Sequence, residues 1–278
     1  MAKLGLIAGA GGLPVDIVRA CNAAARPVFV LRLSGLADPA LAEAAPGMDV
    51  GVAEWGKMFQ TLKRQGCKQI CFAGAVPRPD FGDLRPDLRG LAALPRVLAA
   101  ARNGDDALLR QVMHEFEQEG FVVEGADTVI DGLTIGEGPL GSVAPAEADA
   151  ADIEQALRVA RALGALDIGQ AVVVANGLVL AVEAQEGTDA MLQRCADLPS
   201  ALRSHADLRA GVLAKAVKPL QDRRIDLPTI GPATIEAAAR AGLIGVVGEA
   251  GSLLIVERER VIQTADDLGL FVVGVRSP

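Results

Sequence analysis

Lys3–Ala8 is a short, mainly apolar run that ends on Gly9-Ala10-Gly11-Gly12, and Pro14–Ala24 then spaces Val15, Val18 and Ala24 at helical intervals. This pattern predicts a buried parallel strand, a glycine turn and a helix. Pro27–Leu33 and Gln69–Ala73 read as further strands, the latter preceded by an amphipathic helix at Met58–Gln65 that Gly66 can close. Asp105–Glu119 reads as a long helix and Phe121–Glu124 as one more strand. Strands alternating with helices predict an open parallel sheet with crossover helices, a Rossmann-like α/β domain over residues 1–134.

Between Ile135 and Pro145 the chain carries Gly136, Gly138, Pro139, Gly141 and Pro145, its densest cluster of breakers. With a helix expected over Glu147–Leu163, residues 135–164 read as a linker and connecting helix. Gln170–Ala175 and Val179–Ala184 flank Asn176-Gly177, a strong hairpin signal. Thr188–Arg194 (helix), Leu213–Lys218 (strand), Pro232–Ala241 (helix), Gly245–Val247 and Ser252–Val256 (strands), Ala265–Leu268 (helix) and Phe271–Val275 (strand) complete a second α/β domain with a mixed sheet, residues 165–278.

Composition narrows the function classes. With 51% hydrophobic residues the chain folds rather than staying disordered. Seven Phe, one Trp and no Tyr predict an aliphatic core without stacking platforms for single-stranded nucleic acid. A net charge of −8 likewise argues against a nucleic-acid partner. The four cysteines are scattered and read as buried free thiols, and two histidines are too few for a structural zinc site, so any metal would be held by oxygen. No apolar run reaches the roughly 20 residues of a membrane span, and the N-terminus lacks a secretory core, so a cytoplasmic location is expected. A homodimer is expected only from the general prevalence of twofold assemblies.

The first glycine turn departs from the dinucleotide fingerprint, because Pro14 stands where its third glycine belongs, and Arg32 and Ser34 follow the second strand in place of a ribose-binding acid. Gly11, Gly12 and Leu13 still offer backbone N–H groups to an anion at a helix start, or form a tight structural loop. Gly74, Ala75, Val76 and Arg78 follow a predicted parallel strand, where α/β sheets bind ligands. Asp105-Asp106 is an ambiguous acidic pair at a helix start. In the second half, Glu183, Glu186, Gly187, Thr188 and Asp189 bring carboxylates, a hydroxyl and a glycine turn together, fit for a hard cation or for a capped surface loop. Lys215, Lys218, Asp222, Asp226 and Thr229 fall in a polar, proline-rich stretch; lysines suit diphosphate oxygens and carboxylates suit Mg²⁺.

The segments LIAGAGGLP (Leu6–Pro14), AGAVPRPDF (Ala73–Phe81), GDDALLR (Gly104–Arg110), LDIGQAVVV (Leu166–Val174), VLAVEAQEGTDAML (Val179–Leu192) and KPLQDRRIDLPTIGPATIE (Lys218–Glu236) resemble the LpxI-type UDP-2,3-diacylglucosamine pyrophosphatases of lipid A biosynthesis, end to end. The resemblance implies Mg²⁺-dependent hydrolysis of UDP-2,3-diacylglucosamine to UMP and 2,3-diacylglucosamine 1-phosphate (lipid X), water attacking the sugar-side phosphorus within a two-domain clamp. It implies Asp226 as the critical acid, a metal ligand or a guide for the attacking water. Asp222, Glu186 and Asp189 follow as metal candidates, and Lys215 and Lys218 as diphosphate contacts. Gly11–Leu13, Gly74–Val76, Arg78, Asp106, Gly187, Thr188, Asp189 and Thr229 are then candidates for substrate binding. An acylated substrate also implies an aliphatic chamber and peripheral contact with the inner membrane, with the net charge of −8 arguing against strong attachment to anionic lipid. The alternative class is an NADP- or nucleotide-sugar-binding protein without hydrolase activity, which bound nicotinamide absorbance would reveal.

Overall fold

The computed structural model describes residues 1–77, 80–199, 209–219 and 222–276. The chain forms two compact units, Met1–Asp131 with Asp222–Asp226, and Gly132–Gln221 with Leu227–Pro278.

The first unit runs β1 (Leu4–Ala8), α1 (Leu13–Ala23), β2 (Val28–Leu33), α2 (Leu41–Ala44), β3 (Gly47–Val50), α3 (Trp55–Arg64), β4 (Gln69–Ala73), α4 (Leu88–Ala101), α5 (Asp105–Gln118), β5 (Val122–Val123) and α6 (Ala126–Val129). Its five strands are all parallel, in the order β3-β2-β1-β4-β5, with Leu4 beside both Val28 and Gln69. Helices cover both faces, so β1 is buried throughout and reads as an unbroken apolar run. The start of α4 is fixed by a cap. Asp87 Oδ1 accepts hydrogen bonds from the N–H groups of Arg89 and Gly90, and its Oδ2 accepts from Lys57 N–H in α3. One carboxylate thus ties two helix starts together.

The expectation of an aliphatic core needs correction here. Trp55, Phe59, Phe72, Phe116 and Phe121 converge, with Phe59 and Phe72 meeting Phe116 edge to face at 4.8 and 5.0 Å. A low chain-wide aromatic fraction concealed their concentration in one unit.

The second unit runs β6 (Gly138–Leu140), α7 (Ala150–Ala165), β7 (Ala171–Ala175), β8 (Leu178–Val182), α8 (Gly187–Ala196), β9 (Val212–Lys215), β10 (Thr229–Ile230), α9 (Pro232–Arg240), β11 (Gly245–Glu249), β12 (Leu254–Ile255), α10 (Arg258–Leu268) and β13 (Phe271–Val275). A mixed six-stranded sheet has the order β6-β13-β11-β9-β7-β8, and β10 pairs with β12. Alternate side chains serve opposite faces: Val173, Leu213, Val246 and Val272 pack in one core, while Val172, Val174, Val212, Val247 and Val273 pack in the other, with α7. The hairpin turns at Asn176 and Gly177, both with positive φ. Residues 135–164, read from their glycines and prolines as a linker, cluster with this unit. There β6 pairs with β13, and Gly141 sits against the Asp266 carboxylate with φ +98°.

Candidate functional site

In the first unit β1 and β4 are neighbours from which the sheet grows in opposite directions, so their C-terminal ends form its switch point. The loops that leave them lie back to back. Ala10 N–H donates to Ala75 O at 2.8 Å and Ala75 N–H to Ala10 O at 2.9 Å. A Cβ on Gly74, whose φ is +88°, would stand 2.6 Å from Ala10 O. Gly74 is therefore needed for the approach of the other loop, whatever it also admits. Gly11, with φ +92°, has open space where a Cβ would project, and Gly12 begins α1 without a side-chain cap.

Beside this point lies a cavity of ≈ 430 Å³, walled by side chains of α3, α4, α5 and the loop after β4. Gly74, Ala75 and Val76 border it, as do Phe81, Leu94, Leu109 and Phe116. Asp105 and Asp226 are the ionisable groups among its described lining residues. The segment Asp222–Asp226 reaches this unit because Ile225 packs among its core side chains and Arg224 donates to Glu117 at 2.8 Å. The sequence pattern marked Asp105-Asp106 at the start of α5 but did not link that helix, or α4, to Asp226. Asp106 is buried at the start of α5.

Asp222 is engaged differently. Arg224 grips its two oxygens at 3.0 and 2.7 Å and adds a backbone N–H at 3.0 Å. The guanidinium holds the Asp222 carboxyl below the usual carboxylate range, against the upward push of burial. A metal would have to compete with this bidentate pair.

The second unit gathers another set. Lys215, at the end of β9, donates to Thr188 Oγ1 and to Thr229 O, both at 3.0 Å. The Thr188 hydroxyl donates in turn to Glu183 Oε1 at 2.6 Å, and Glu183 Oε2 accepts Gln170 N–H at 2.9 Å. Glu183 and Lys215 are each only 6% exposed. The loop residues therefore form a buried relay around a cation, with Gly187 (φ +79°) making the turn into α8. Glu186 is instead paired with Arg194 at 2.7 Å, and backbone N–H hydrogen bonding, with Arg194 second, holds its carboxyl below the ordinary range. Lys218 pairs with Asp167 at 2.9 Å, and Asp189 borders a separate pocket with Arg240. Arg78 lies outside the described residues. Among the described residues no three His, Cys, Asp or Glu side chains form a metal-binding group.

The fold and cavity define a two-unit α/β protein whose parallel sheet offers a largely apolar ligand chamber at its switch point. Family models of the LpxI N-terminal domain and the LpxI C-terminal domain match residues 3–133 and 136–273, and the chain belongs to the LpxI family. A Caulobacter vibrioides protein named UDP-2,3-diacylglucosamine pyrophosphatase LpxI is 62% identical over 275 residues, covering 99% of this chain and 98% of that protein. Among solved structures, CobK precorrin-6A reductase matches with a TM-score of 0.32 at 12% identity, covering 100% of this chain and 89% of that one. The biotin carboxylase subunit of pyruvate carboxylase matches with a TM-score of 0.25 at 14% identity, covering 67% and 39%. Neither likeness bears on activity.

Proposed function

We propose that this protein hydrolyses the diphosphate of UDP-2,3-diacylglucosamine, releasing UMP and lipid X for lipid A biosynthesis. The carrying observation is the ≈ 430 Å³ cavity with Asp226 in an otherwise mostly apolar wall. Its aliphatic and aromatic lining suits an acyl chain, and the half-buried Asp226 carboxylate at its wall stays within reach of the attacking water. The named activity of the 62% identical relative supports the same substrate.

In this reading Asp226 accepts a hydrogen bond from the attacking water and aims it at the sugar-side phosphorus. The P–O bond to the uridylyl phosphate breaks, UMP leaves, and the water oxygen stays on lipid X. A Mg²⁺ held by Asp226 and diphosphate oxygens would neutralise charge that grows on those oxygens. Asp222 orders the segment through Arg224. The resemblance assigns Lys215 to the diphosphate, and its ammonium is held in place by Thr188 Oγ1 and Thr229 O. The chain works at the cytoplasmic side of the inner membrane, where a nucleotide-linked lipid is available.

The test is purified protein with UDP-2,3-diacylglucosamine and Mg²⁺, alongside Asp226→Ala. UMP should appear with wild type and fall by at least about a hundredfold in the variant, the scale of a lost acid–base group. Reaction in oxygen-18 water should label lipid X. Label in UMP, or full activity of Asp226→Ala, would refute the mechanism.

A further inference from the structure

Helix α4 is apolar on both sides, and protein covers one of them. Gly90, Ala93, Val97 and Ala101 face inward. On the opposite side Leu88, Leu91, Ala92, Pro95 and Ala99 are exposed, Leu88 by 88% and Leu91 by 56%. A helix with two apolar faces, divided here only by Arg89 and Arg96 on one flank, normally has both covered, by a core or by hydrocarbon. At 14 residues α4 is too short to cross a bilayer.

Charge indicates what covers this face. Residues 85–102 hold four arginines and one aspartate, within a chain whose net charge is −8. Arg89 is paired with Glu119 and Arg96 with Glu115. Arg85 and Arg102 are exposed and have no carboxylate partner among the described residues. Exposed leucines beside cationic arginines match an anionic bilayer, leucines entering the headgroup–acyl boundary and guanidiniums meeting phosphate. The other side of the same helix supplies Gly90, Leu94 and Val97 to the ≈ 430 Å³ cavity.

We propose that the outward face of α4 is the surface by which this protein rests on an anionic phospholipid bilayer. The benefit of that position rests on the acyl-chain reading of the cavity: one helix would then separate the lipid reservoir from the chamber that receives a chain. Attachment itself follows from the exposed face and its arginines.

The test is flotation of the full chain with vesicles of equal parts phosphatidylcholine and phosphatidylglycerol, and with phosphatidylcholine alone. Wild type should float with the anionic vesicles and release in high salt. Leu88→Asp combined with Leu91→Asp should lower the bound fraction roughly tenfold, with an unchanged circular dichroism spectrum. Neither leucine lines the cavity, so this variant should hydrolyse detergent-dispersed UDP-2,3-diacylglucosamine at the wild-type rate. Wild type that stays with the unbound fraction, or a variant that floats equally well, overturns the proposal. So does a variant that turns a wild-type dimer into a monomer in lipid-free sedimentation, because the face is then an interface between copies. Absence of hydrolysis in both proteins, with vesicle binding intact, removes the enzymatic reading and leaves the docking surface standing.

Discussion

Thr188→Val tests the buried relay of the second unit most sharply, because valine keeps the shape of threonine and removes only the hydroxyl. That hydroxyl donates to Glu183 at 2.6 Å and accepts from Lys215 at 3.0 Å. Both partners are charged groups only 6% exposed, so water cannot readily replace the missing oxygen. A hydrogen bond to a charged group contributes about 1.5–3 kcal/mol, and two are lost together. Glu183 keeps Gln170 N–H and Lys215 keeps Thr229 O, which limits the damage. The expected loss of stability is about 3–5 kcal/mol, read by urea unfolding followed by far-UV circular dichroism. Thr188→Ser retains the oxygen and should recover most of it. In the assay with UDP-2,3-diacylglucosamine, Thr188→Val should reduce kcat/KM even under conditions where it is fully folded, since Lys215 loses an acceptor that fixes its ammonium. A Thr188→Val protein within about 0.5 kcal/mol of wild type would refute the relay, because such a small effect marks an ordinary surface position.

Other perturbations probe separate links. Asp87→Ala should destabilise the first unit by about 1–3 kcal/mol in urea, since the carboxylate caps α4 and also accepts from α3. Burial raises the Asp87 pKa, but the Gly90, Lys57, Gly56 and Arg89 N–H groups outweigh it and lower the pKa overall. Its stabilisation is therefore present above the unfolded pKa of about 3.9 and lost as pH falls through the lower folded value, a slope that Asp87→Ala should remove from pH-dependent melting. Gly74→Ala should cost about 2–4 kcal/mol by thermal unfolding, combining a positive φ with overlap on Ala10 O. Gly11→Ala should cost only about 1–2 kcal/mol, because open space lies where its Cβ would go. Shortening the substrate's acyl chains should lower kcat/KM by about fourfold per methylene removed from the cavity, from about 0.8 kcal/mol each. A flat series would place the chains elsewhere.

Much of the fold was legible because its signals are local. The strand at β1 is an apolar run closed by glycines, and Asn176-Gly177 marked the tight turn between β7 and β8. Helix α4 was missed for the reason that makes it unusual. Its inner and outer faces are both apolar and only Arg89 and Arg96 mark one flank, while Pro95 reads as a breaker, so the capping Asp87 was the clearer sign. The breakers at 135–145 signalled irregular backbone without revealing that Gly138–Leu140 pairs with β13. Pairing between segments more than a hundred residues apart leaves no local trace.

The stretch from Lys215 to Pro232 shows most clearly what sequence spacing conveys and what it hides. Read along the chain it is one polar, proline-rich loop holding two lysines and two aspartates. In three dimensions it is divided: Lys215 closes a strand of the second unit, while Asp222–Asp226 belongs to the first. What draws those five residues away is not their charge. Ile225 packs with the core of the first unit, and Arg224 engages Glu117 while clasping Asp222. An apolar side chain and an ion pair thus place Asp226 at the cavity wall. Ile225→Asp should accordingly lower hydrolysis as much as an Asp226 substitution while leaving that carboxylate in the chain. Wild-type turnover by Ile225→Asp would show that the segment reaches the cavity without this anchor.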